Sequence, residues 1–343
     1  MVFMTDWGHL VIDDYGVFVG KRHGRVVIYS RGGLKEEFPV KRLRMVVITG
    51  KVGIGSDLLR YLADCGVDVL ITSSTGRPVA LMVHARCGGT VRNRVEQYKS
   101  LEDGRACRLA GMIISAKLSN QASNMKYYSK ARSSSGSISR ELYEKGERIK
   151  ELKNSLDNMP DKNLEKCRET VMSIEAQAAN IYWEGMKTVL GPYGFKERLQ
   201  RRDKVREIDI ANLSLNIMYN NLAGTIWKYV LRFSLDPFQG FLHARRSGKL
   251  SLVFDLMEPY RPIIDRLVVS FLRRISGKEL KKMRRSELAR RLTSYYYDAL
   301  SRNRITYRGR STCIEATIFW YVQSIVSYLT GRASVIHPPY NPW

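Results

Sequence analysis

At Gly88-Gly89 the spacing of apolar residues changes from two to about 3.6 and does not change back, which divides the chain into a strand-forming and a helix-forming part. A two-residue repeat lines one face of a strand and cannot line one face of a helix, so few fold classes remain open. Before the change, short β-branched runs alternate with Gly and Asp turns, predicting strands over 10–12, 17–20, 25–29, 44–48 and 67–72. Residues 56–65 have helical spacing behind a serine cap and predict one short helix between the last two strands. After the change, helices are predicted over 91–132 with a break near Asp103-Gly104, then 138–158, 163–190, 208–233, 256–275, 277–301 and 311–329. Residues 133–137 and 158–161 read as linkers, 191–206 as a long basic loop, and the proline-rich 337–343 as irregular. The expected fold is α+β in two domains: a small N-terminal β-rich domain, 1–87, and a larger all-α domain, 88–343.

Charge follows the same division. The net charge is +24, yet residues 1–85 carry 11 Lys+Arg against 8 Asp+Glu, and the remainder carries 46 against 25. A basic excess confined to one part points to a polyanion, nucleic acid foremost. Five cysteines, Cys65, Cys87, Cys107, Cys167 and Cys313, are odd in number, scattered and never in a Cys-x-x-Cys pair, which argues against a disulfide frame and a zinc site. A reducing cytoplasm is expected. No signal peptide is visible at Met1, and 317–329 is too short to span a bilayer, so no membrane is expected.

The stretch 49–55 (TGKVGIG) sits between a strand and a helix, as a dinucleotide-binding turn would. Its glycines are spaced G-x-x-G-x-G where the fingerprint needs G-x-G-x-x-G, and no acid follows the next strand to hold a ribose. It reads as a structural turn.

Residues 235–262 (LDPFQGFLHARRSGKLSLVFDLMEPYRP) gather one histidine, three acids and four basic residues around a turn. Asp236-Pro237 with Gly240 sets the turn, Gly240 supplying a left-handed conformation, and the turn presents His243. Asp255 and Glu258 share a face if Asp255 opens a helix; the same spacing is also a capping pattern, and Pro259 leaves Glu258 as an alternative cap. Read as a site, a histidine and carboxylates beside Arg245, Arg246 and Lys249 suit a divalent metal working on a phosphate. Glu184, in an apolar and aromatic surrounding (AANIYWEGM), needs a base, a proton or a metal if it is buried.

These motifs resemble the CRISPR-associated adaptation integrase and endonuclease family over essentially the whole chain. The resemblance is carried by 48–72, by SAKLSNQ at 115–121, by Glu184 in IYWEGM, by DIANLSLNIMY at 209–219, and most specifically by PFQGFLH followed by SLVFDLMEPYR. It implies a homodimer formed through the β domain and a helical domain with one metal site, whose ligands would be Glu184, His243 and Glu258. Asp255 would be a neighbouring acid needed for catalysis, while Asn212 and Tyr219 would support the site. It also implies DNA as partner, both prespacer and CRISPR repeat or leader, and a small second adaptation protein.

Two carboxylates and an imidazole leave octahedral positions open for water and phosphate, so Mg²⁺ or Mn²⁺ is expected. Arg245, Arg246, Lys249 and Arg261 are candidates to hold flanking phosphates, with Arg201, Arg202, Lys204 and Arg206 at longer range. The rival reading is a catalytically silent nucleic-acid-binding scaffold in which the acids are caps and ion pairs.

Overall fold

The structure, a computed structural model, describes residues 1–84, 91–156, 164–199, 208–243 and 248–342. The strand-rich part contains β1 (Val2–Met4), β2 (His9–Ile12), β3 (Phe18–Arg22), β4 (Arg25–Ser30), β5 (Gly33–Pro39), β6 (Met45–Ile48), β7 (Gly53–Ile54), α1 (Ser56–Asp64), β8 (Asp68–Thr72) and β9 (Pro78–Met82). They form a five-stranded sheet, β1-β2-β6-β8-β9, and a four-stranded sheet, β5-β4-β3-β7. In the first, β2, β6 and β8 are parallel and the flanking strands antiparallel. Parallel strands need covered faces. Accordingly, Leu10, Ile12, Val46, Ile48 and Val69 pack with the smaller sheet and α1. Val11, Met45, Val47 and Leu70 point the other way and join the helical core.

The glycine turn is structural, as its spacing predicts: a Cβ on Gly50 would stand 1.9 Å from the Asp14 carbonyl oxygen. The helix behind it is capped by Gly55 and not by Ser56, which is its first residue. β1, β5, β7 and β9 were not anticipated. β5 and β9 are largely exposed, so they lack the alternation by which buried strands are recognised.

The helical part contains α2 (Val91–Lys99), α3 (Arg105–Lys130), α4 (Gly136–Asn154), α5 (Leu164–Leu190), α6 (Ile210–Arg232), α7 (Ser251–Met257), α8 (Arg261–Arg273), α9 (Gly277–Lys282) and α10 (Arg285–Arg302), then a hairpin of β10 (Arg304–Tyr307) and β11 (Arg310–Cys313) and finally α11 (Ile314–Leu329). The break near Asp103-Gly104 is there, Gly104 adopting a left-handed φ of 85° at the start of α3. The expectation of an all-α second part fails at the β10–β11 hairpin. The boundary expected at 87/88 and the linker at 158–161 lie outside the described residues.

α6 is the axis of this part, buried on nearly every face. Gly224 brings it against the β unit: a Cβ there would stand 2.8 Å from Leu70 Cδ2. The same contact carries a buried charge cluster. Glu315 of α11 accepts from Lys228 Nζ at 2.9 Å and Tyr229 Oη at 2.6 Å, with His9 Nε2 of β2 at 3.5 Å. Burial pushes the Glu315 carboxyl up, but Lys228 and then His9 outweigh it and hold the group well below the carboxylate range.

Two further contacts fasten the long helices. Cys107 of α3 and Cys167 of α5 form a disulfide with Cα atoms 5.9 Å apart, overturning the expectation that the chain holds none. Their 60-residue separation hid the pair, because α3 and α5 run side by side. At the end of the chain, Asn120 of α3 donates through Nδ2 to the carbonyls of Pro259 at 2.8 Å and Pro339 at 3.0 Å, while its Oδ1 accepts from the Asn341 amide at 2.9 Å. Among the described residues no helix is long and apolar enough to cross a membrane.

Candidate active site

The turn carrying His243 is held from several elements, because its backbone groups are buried and need partners. Gln97 of α2 accepts from the Asp236 amide at 2.8 Å and donates to the carbonyls of Asp236 at 3.0 Å and Gln239 at 2.8 Å. Arg168 of α5 donates to the Phe241 carbonyl at 2.8 Å and the Gly240 carbonyl at 3.2 Å. Asp255, fully buried in α7, accepts the amides of Phe241, Leu242 and His243 at 2.6, 2.9 and 3.1 Å. Gly240 is not in the left-handed region, contrary to expectation. It must be glycine because a Cβ would stand 2.6 Å from Asp255 Oδ2 and 3.1 Å from the His243 carbonyl oxygen.

Asp255 lies inside α7 and opens no helix. Its Oδ1 stands 2.6 Å from His243 Nδ1, and since the carboxylate only accepts, Nδ1 carries the proton, so that in the neutral ring Nε2 is the nitrogen with the lone pair. Asp255 thus orients the His243 ring.

Glu258 begins a 3-10 turn, residues 258–260, joining α7 to α8. It is buried, with Lys117 Nζ of α3 at 2.5 Å from Oε2 and Arg261 Nε at 2.8 Å from Oε1. Burial pushes its carboxyl up, but Arg261 and then Lys117 prevail and bring it down to about 2. Lys117 also bonds Glu175 of α5. Glu175, His243 and Glu258 line one cleft of 680 Å³ together with Lys117, Arg198, Lys249 and Arg261.

Glu184 does not reach this cleft. Its side chain is 61% exposed and pairs with Lys145 of α4 at 3.0 Å, a surface contact that lowers its pKa. It stands nine positions beyond Glu175, two and a half helical turns, and so on the opposite side of α5. The signal that singles out Glu175 is a stripe: Met172, Glu175, Ala176, Ala179, Asn180 and Trp183 recur at helical spacing and line the cleft.

Support for the cleft comes from α6 as expected. Asn212 accepts from Arg198 Nη1 at 2.8 Å and the Leu199 amide at 2.9 Å, holding that segment in place. Tyr219 donates to Asp265 Oδ1 at 2.5 Å and Tyr182 to Oδ2 at 2.8 Å. Burial raises the Asp265 carboxyl, the two hydroxyls hold it back, and the balance stands at about 6. Of the basic candidates, Lys249 and Arg261 line the cleft, while Arg201, Arg202, Lys204, Arg206, Arg245 and Arg246 lie outside the described residues. Lys117 and Arg198 were not anticipated as cleft cations.

Among the described residues no three His, Cys, Asp or Glu side chains stand together closely enough to hold a metal ion. The donor types nevertheless fit one: two carboxylates and an imidazole with a free Nε2, facing one cleft, whose acids already hold a cation in the Lys117 ammonium. A larger cavity of 920 Å³ between α3, α4 and residues 334–340 has no acid and no histidine in its wall, so it lacks these means.

A two-sheet β unit on a helical core carries a cleft lined by carboxylates, a histidine and cations. The family described as CRISPR associated protein Cas1 matches residues 10–297, and the chain belongs to it. It is 44% identical over 340 residues to a CRISPR-associated endonuclease Cas1 of Korarchaeum cryptofilum, covering 99% of both chains. It is 31% identical over 334 residues to one of Archaeoglobus fulgidus, covering 94% of this chain and 96% of that one. Among solved structures, a casposase bound to integration product superposes with a TM-score of 0.78 at 22% identity, over 96% of this chain and 92% of that one. A Cas1 protein from Thermotoga maritima gives 0.74 at 16% identity, over 94% and 97%. The expected family is therefore the observed one.

Proposed function

We propose that this chain cuts and joins DNA phosphodiester bonds in CRISPR adaptation, and that Glu175, His243 and Glu258 hold the divalent ion, Mg²⁺ or Mn²⁺, on which that chemistry depends. The observation that carries this reading is the convergence of α3, α5, the 235–243 turn and the α7–α8 junction on one cleft bearing those three side chains. The nuclease activity is supported by family membership and by the relatives named as endonucleases.

When bound, the ion would polarise a phosphoryl oxygen and assist the attacking water or 3′ hydroxyl. The protein's own part is positional and electrostatic. Asp255 fixes the His243 ring, which lines the cleft, through Nδ1 and so leaves Nε2 as the nitrogen to meet the ion. Arg261, held by Glu258 at 2.8 Å, and Arg198, held by Asn216 at 2.6 Å, bring guanidinium groups to the wall where a phosphate would lie. DNA, a second copy of the chain and a small second adaptation protein complete the proposed assembly. One chain of a solved complex titled Cas6-RT-Cas1–Cas2 superposes over 99% of this chain and 36% of that one, with a TM-score of 0.73 at 15% identity, sharing the fold over that part.

The test is incubation of the purified protein, with and without the second adaptation protein, with a prespacer and a supercoiled repeat-containing plasmid, in Mn²⁺, Mg²⁺ and chelator. Covalent joining that chelator and Glu175→Gln both abolish is expected. DNA binding without joining or cleavage under every condition would leave the scaffold reading standing.

A further inference from the structure

The cleft already contains a cation. Lys117 extends its ammonium from α3 between the two acids, bonding Glu175 and standing 2.5 Å from Glu258 Oε2, with its side chain only 9% exposed. Arg261 takes the other oxygen of Glu258 at 2.8 Å. Two carboxylates are therefore matched by two fixed positive charges before any metal arrives. Adding a divalent ion without rearrangement would leave an excess of positive charge in a poorly solvated site, where uncompensated charge is costly. The oxygens that would hold the ion are also those that Lys117 occupies.

We infer that Lys117 is the resident counter-cation of this site: it holds Glu175 and Glu258 together when no metal is bound, gives up their oxygens when a metal enters, and then presents its ammonium to the phosphate. This rests on the reading that Glu175 and Glu258 hold the metal. Lys117 thereby sets metal affinity below what two carboxylates and an imidazole would otherwise provide. A lysine that merely braces the helices gives the opposite sign, because its loss would scatter the acids and weaken metal binding.

The experiment is a titration of the full chain with Mn²⁺ at neutral pH, read by the electron paramagnetic resonance of the free ion, with thermal unfolding in chelator and in Mn²⁺ alongside. Lys117→Met is expected to bind Mn²⁺ about tenfold more tightly than the unaltered protein, equivalent to about 1.4 kcal/mol of removed competition. It should also melt lower in chelator and recover more on adding Mn²⁺. Lys117→Arg, which keeps the charge, should retain the original affinity, and Lys117→Gln carries the same test if the methionine variant does not fold. Affinity equal to or weaker than the unaltered protein in the folded uncharged variant, while Glu175→Gln and Glu258→Gln lose binding, would overturn the inference and leave the metal site intact. Mn²⁺ binding untouched by Glu175→Gln and Glu258→Gln would instead overturn the metal reading, and the role of Lys117 with it.

Discussion

His243 and Asp255 are joined twice, through the ring nitrogen Nδ1 at 2.6 Å and through the histidine's own amide at 3.1 Å, so one carboxylate sets both the ring and the backbone that carries it. Asp255→Asn replaces an acceptor by a group that presents N–H to donors. Cleavage of DNA in Mn²⁺ should fall by roughly 10- to 100-fold, the range seen when a ligand's orienting partner is lost. Steady-state cleavage rates, with circular dichroism to verify folding, check this; an unimpaired rate would mean that the ring is oriented by other means.

Two acids on α5 separate a site residue from a surface residue. Glu175→Gln should reduce metal-dependent cleavage by about a hundredfold or more, while Glu184→Gln should leave it unchanged. Glu184 is exposed and Glu141 also pairs with Lys145, so the Glu184–Lys145 pair at 3.0 Å should contribute no more than about 1 kcal/mol to stability. Parallel assays of the two variants decide the point, and the reverse pattern would remove Glu175 from the site.

Asp265 gives stability a pH dependence whose sign is fixed by burial. Its carboxyl stands at about 6 when folded against 3.8 ordinarily, so the folded protein holds a proton that the unfolded chain releases. That contribution is fully present below about pH 4 and is lost as pH rises through about 6, by at most about 3 kcal/mol. The unfolding free energy of the unaltered protein minus that of Asp265→Asn should fall between those values and then level off. A flat difference would show that Asp265 titrates normally.

Glu315 joins the β unit to α6 and α11 as the carboxylate that bonds Lys228 and stands 3.5 Å from His9 Nε2. Glu315→Gln leaves the buried Lys228 ammonium without its hydrogen-bonded counter-charge and should cost about 3–5 kcal/mol, measured by guanidinium unfolding. A loss under about 1 kcal/mol would show that water enters the cluster.

The period change and the 235–262 stretch made the β-then-α order and the positions of His243, Asp255 and Glu258 legible, because each is written in neighbouring residues. What depends on contacts between distant segments was not. Cys107 met Cys167, and Lys117 met Glu175 and Glu258, only once α3, α5 and the α7–α8 junction were packed together. The assignment of Glu184 as a ligand rests on the family resemblance and on aromatic neighbours that suggest burial, and Glu175 is not among the residues singled out from sequence. Tyr182 is indeed buried, but helical geometry turns the adjacent residue outward.

Asn120 binds the Pro259 carbonyl, next to Glu258, and clasps Pro339 and Asn341 through the same side chain. During synthesis, the stretch that braces the acid therefore leaves the ribosome after both Asn120 and Glu258. A chain folding from its N-terminus can form the β unit and most helices while still attached, but this clasp must wait for residues beyond 339. A nascent chain would hence carry an incompletely braced cleft until those residues have emerged.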